Sequence, residues 1–130
     1  MILGFSTKFP CGGKERYFTN FVPKILDGRK LHTFRKGSRW KAGDKIHFAI
    51  GVRTKNYHQF ATGKVTSVFK TKINPKSRSI SFYFKGSGYV KIKPSAIDKL
   101  AKDDGFASTE DFWKLFKEPF TGQLIIWELD

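Results

Sequence analysis

The chain has 130 residues, a formal charge of +14 and one cysteine, Cys11. That length suits one domain, 1–130, with room for a real core, because single domains run to roughly 100–200 residues. A lone cysteine excludes an intrachain disulfide and favours a reducing compartment, and no apolar run approaches the roughly 20 residues of a membrane span. The opening Met1-Ile2-Leu3-Gly4-Phe5 lacks the charged start and long apolar run of a signal peptide. The expectation is a cytoplasmic protein without membrane attachment.

Taken in order, Ile2 to Phe5 reads as a first strand, and Cys11-Gly12-Gly13-Lys14 as a turn without a P-loop pattern. Phe18 to Leu26 reads as a short helix capped by Thr19 or Asn20, with Pro23 in its first turn, Phe21, Ile25 and Leu26 buried, and Gly28 as its stop. From Lys30 to Arg35 the chain alternates as a strand, Lys30, His32 and Phe34 on one side, Leu31, Thr33 and Arg35 on the other. If the turn after Gly28 still bends the chain at Lys30, an amine, a hydroxyl and a guanidinium converge. Those groups suit a ligand with carbonyl or phosphate oxygens: lysine as point charge or base, threonine as donor or nucleophile, arginine as a planar fork. A basic edge strand with solvated charges is the plainer alternative.

Lys36 to Asp44 is a glycine-punctuated loop in which Arg39 beside Trp40 either pairs a phosphate fork with a stacking surface or packs an arginine on a core tryptophan. Lys45 to Val52 alternates with Ile46, Phe48 and Ile50 on one face and His47 on the other. Gly51 to Phe60, which includes Arg53, is a polar, basic connection of the kind that carries binding groups. Ala61 to Ile73 reads as one long strand or a bent pair, Asn74 to Arg78 as a turn, and Ser79 to Phe84 and Tyr89 to Lys93 as further strands. Pro94 to Ala101 opens a helix that Asp103-Asp104-Gly105 closes; Ser108 caps a second with Phe112, Leu115 and Phe116 as its buried stripe. Gly122 to Leu129 is an apolar terminal strand that belongs inside the sheet. Antiparallel sheet plus helices makes the fold α+β.

The charge is segregated. Met1 to Ile97 holds 21 Lys and Arg against three acids, Glu15, Asp27 and Asp44, whereas Asp98 to Asp130 holds four Lys and eight acids. A basic body of this kind favours a polyanion, most simply nucleic acid. His32, His47 and His58 share no metal-ligand spacing, so neither a metal nor another cofactor is called for.

The run Ile25-Leu26-x-Gly28-Arg29-Lys30-x-x-Thr33-x-Arg35, with Gly43-Asp44 opening a strand, resembles the signature of ASCH domains, members of the PUA-like superfamily. Arg39-Trp40-Lys41-x-Gly43, Gly51-x-Arg53, Asp104-Gly105-Phe106 and Ile126-Trp127 continue the likeness to small single-domain bacterial and phage members over nearly the whole chain. The resemblance implies a small mixed or antiparallel β-barrel flanked by short helices, with a cleft for RNA, a nucleotide or a modified nucleoside. Arg29, Lys30, Arg35, Arg39, Trp40 and Arg53 are then the candidate binding residues. Some small bacterial ASCH proteins are amidohydrolases that deacetylate N4-acetylcytidine with a Lys, a Thr and a Glu. Lys30 and Thr33 stand at the first two positions, and Asp104 is the nearest candidate for the third. Metal-independent ribonuclease chemistry, and an interaction module for acidic proteins, are the other readings. The sequence does not fix the oligomeric state.

Overall fold

The structure, a computed structural model, describes residues 1–5 and 21–130. The Cys11 turn and the Thr19/Asn20 cap lie outside the described residues. Chain order is β1 (Ile2–Phe5), α1 (Phe21–Leu26), β2 (His32–Lys36), β3 (Lys45–Ile50), β4 (His58–Asn74), β5 (Ser79–Phe84), β6 (Gly88–Lys91), α2 (Pro94–Asp103), α3 (Thr109–Lys114) and β7 (Phe120–Leu129). No helix among the described residues is long and apolar enough to cross a membrane.

All seven strands join one sheet built around β4. Gly63 pairs with both Ile46 and Leu129, and Thr71 with both Phe82 and Gly122. β4 therefore carries β3 and then β5 along one edge and β7 along the other. β2 pairs antiparallel with β7, and β1 pairs parallel with β3, which makes the sheet mixed. The expected closed barrel is corrected here: the sheet is open, because no ladder joins β1 to β2. Arg35 on β2 instead reaches across to β1, its Nη2 donating to the Gly4 carbonyl at 2.5 Å.

Aromatic packing fills both faces. Phe5, Phe48 and Trp127 stand with ring centroids 5.1–6.1 Å apart on one side. Phe34, Phe112, Phe116 and Phe120 form a second cluster under α3. Ser108 caps α3 as expected, its side chain accepting from the Asp111 N–H at 3.2 Å. The expected stripe of Phe112, Leu115 and Phe116 is corrected: α3 ends at Lys114 and buries Phe112 and Trp113, and Leu115 and Phe116 follow it half-buried against the core. Two bulges break the simple alternation. Both add a residue to β4: Phe60 opposite the Phe48–Ala49 step of β3, and Thr66 between Val65 and Ser67, past which β4 continues as one strand where a bent pair was the alternative.

Candidate functional site

Gly28, at φ +83, ends α1 and turns the chain into β2. The Lys30 N–H donates back to the Lys24 carbonyl at 2.9 Å and the Leu31 N–H to the Asp103 carbonyl at 2.7 Å, which ties this turn to the end of α2. The Lys30 side chain consequently points inward and is only 1% exposed. Its Nζ donates to the Asp104 carbonyl at 2.7 Å, lies 3.1 Å from Asp104 Oδ1, and stands 4.2 Å from the centroid of Phe21. Burial pushes the Lys30 pKa down, and the Asp104 carboxylate opposes that shift.

Asp104 has a second partner, His32 Nδ1, at 3.1 Å from Oδ1. His32 Nε2 is buried without a hydrogen-bond partner. Thr33 is also buried, but alternation along β2 sends Thr33 and Arg35 to the face opposite His32 and Phe34. Its hydroxyl makes no hydrogen bond to Lys30 or Asp104 among the described residues. Of Lys30, Thr33 and Asp104, the fold thus hydrogen-bonds the lysine to the aspartate and leaves the threonine outside that pair.

The candidate binding residues divide in the same way. Lys30 is enclosed, with its ammonium held by Asp104. Trp40 is 3% exposed, and its ring is core and not an open stacking surface. Gln123 holds it there, accepting from the Trp40 N–H at 3.1 Å and donating to the Trp40 carbonyl at 2.9 Å. Arg39 lies over the Trp40 ring at 5.2 Å, the packing alternative for this pair. Arg29 is exposed and paired with Asp27 at 2.7 Å.

Arg35, Arg39 and Arg53 come together. A pocket of about 250 Å³ is lined by Ile2, Leu3, Gly4, Arg35, Lys36, Arg39 and Trp40. A second, of about 710 Å³, is lined by Met1, Ile2, Gly4, Arg39, Val52, Arg53 and Tyr57. The two share Ile2, Gly4 and Arg39, so they adjoin along β1, and no carboxylate is among the described residues lining either. Arg35 spends one Nη donor on Gly4, and its Nε is buried without a partner; burial also lowers its pKa, though a guanidinium stays charged. Arg53 adopts φ +64, a left-handed conformation uncommon for a residue with a side chain.

Three positions of the candidate site were not legible in the sequence. His32 was weighed only as a metal ligand, yet it holds Asp104. Gln123 lies within the apolar strand β7, and it locks the Arg39–Trp40 loop. Tyr57, exposed in the basic 51–60 connection, lines the larger pocket. Its signal was an aromatic residue standing alone among Arg53, Lys55 and Asn56. Compared with protein-family models, curated proteins and solved structures, the chain matches none.

Proposed function

We propose that the chain is an ASCH-type, PUA-like domain that binds the phosphate and base of a nucleotide, free or within RNA, in the two pockets along β1. One observation carries the reading: Arg35, Arg39 and Arg53 line adjoining pockets whose described lining residues include no carboxylate. Guanidinium groups favour phosphate because their planar donors match its oxygens in pairs. A volume of about 710 Å³ accommodates a nucleotide, and the Tyr57 ring offers a base the stacking surface that the buried Trp40 does not.

The hydrolytic alternative needs a nucleophile, a base and a proton donor converging on one acyl carbon. Lys30 and Asp104 meet, but Thr33 does not hydrogen-bond to them and the Lys30 ammonium is enclosed, so the geometry favours binding.

The test is titration calorimetry with cytidine monophosphate, using cytidine as the control. The expected result is phosphate-dependent binding that Arg39→Ala and Arg53→Ala each weaken by about tenfold, in line with roughly 1.5–3 kcal/mol for a hydrogen bond to a charged group. Equal affinity for nucleoside and nucleotide, or indifference to both substitutions, would overturn the reading. Release of cytidine from N4-acetylcytidine by the wild type would move the assignment to the hydrolase.

A further inference from the structure

The strand order β1-β3-β4-β5-β6 places β5 and β6 at the end of the sheet away from β1. Register sets Tyr83 opposite Tyr89, Ser81 opposite Lys91, and Lys72 opposite Ser81. Alternation then puts Lys70, Lys72, Tyr83, Tyr89 and Lys91 on one face. The two tyrosine rings are 5.5 Å apart, inclined at 67°, and 41% and 39% exposed. Lys70 Nζ stands 5.4 Å from the Tyr83 centroid and Lys72 Nζ 4.3 Å from that of Tyr89.

A cross-strand aromatic pair by itself stabilises a hairpin and accounts for the ring contact. It does not account for the charge. The sequence holds no Asp or Glu between Asp44 and Asp98, so β4, β5 and β6 place lysines round the rings without one carboxylate of their own. Glu110, which reaches the β4–β5 turn from α3, is taken by Arg78 at 2.9 Å from Nη2. An ordinary solvated face mixes both signs. Lys70 and Lys72 rest over these rings, a weak partnership at an exposed site that phosphate can replace.

We propose that this face binds single-stranded nucleic acid, with bases stacking on Tyr83 and Tyr89 and the phosphates held by Lys70, Lys72 and Lys91. A duplex keeps its base faces inside its own stack, so only a single strand offers them to the tyrosines. The site is separate from the pockets along β1, and it does not depend on their ligand.

Fluorescence anisotropy with a labelled oligouridylate and a duplex of equal length, added to the whole chain, tests it. The single strand is expected to bind more tightly than the duplex. Tyr83→Ala/Tyr89→Ala should weaken the single strand by roughly tenfold or more while leaving the duplex unchanged, and Tyr83→Phe/Tyr89→Phe should bind as the wild type because it keeps both π-faces. Lys70→Ala/Lys72→Ala should weaken both ligands and flatten the salt dependence. Unaltered oligouridylate binding by the double alanine variant would overturn the proposal. So would wild-type self-association in sedimentation that this variant abolishes, since a second copy would then be what covers the face. These variants leave Arg39 and Arg53 in place, so cytidine monophosphate binding reports independently on the pockets along β1.

Discussion

A lysine and an aspartate that are 74 positions apart in the chain share one buried site. Taking both charges out of water is costly, and removing one partner leaves the other buried and unpaired. Lys30→Met or Asp104→Asn alone is expected to destabilise the fold by roughly 3–5 kcal/mol, whereas Lys30→Met/Asp104→Asn should cost clearly less than their sum. Urea denaturation of the four proteins measures this coupling; additive losses would show that the pair is not an energetic unit. The pH dependence has a definite sign. Folding lowers the Lys30 pKa below its ordinary 10.5, so between those two values the unfolded chain holds more protons. Wild-type stability relative to the double variant should therefore rise with pH in that window and level off above it. The sequence displayed both residues as candidates, but it carried no sign that His32 would be the third member. That depends on the packing of β2 against the end of α2, a contact made by distant segments.

Among the elements, the turn that follows α2 shapes the surroundings of Lys30. Gly105 sits at φ +92, and a Cβ there would approach the Lys30 side chain at 3.3–3.4 Å. Gly28 has a similar φ of +83 with nothing within 4 Å of such a Cβ, which makes it the control. Gly28→Ala should cost only the left-handed strain, about 1–2 kcal/mol. Gly105→Ala should cost more, since it also crowds a lysine that has no free space; equal midpoints in thermal or urea melts would contradict that. Most strands and helices were legible because turns at Asn74 to Arg78 and Gly86 to Gly88 punctuate clear alternation. The bulges were not, because they arise where β4 bends between two partners. The bulge beside Phe48 adds Phe60 to β4 and leaves β3 in unbroken register with β1, so Ile50 keeps step with Ile46 and Phe48 but is only half-buried.

For the whole molecule, the segregation of charge was the most legible property, since a basic body and an acidic terminal section need only counting. Where that charge becomes a site was not legible. It depends on an unclosed sheet: the Arg35 guanidinium stands between β1 and β2, and Arg39 and Arg53 arrive from two loops on either side of β3. Trp40 shows the limit from the other direction, because a tryptophan beside an arginine reads equally as platform or core until Gln123 is seen to hold its backbone. The most direct test of the site is a two-dimensional amide NMR titration of the whole chain with cytidine monophosphate at low salt. The expected result is shifts concentrated on Ile2, Leu3, Gly4, Arg39, Trp40, Arg53 and Tyr57, with Tyr83 and Tyr89 unmoved. Shifts centred elsewhere, or none at saturating nucleotide, would contradict the assignment of the β1 pockets.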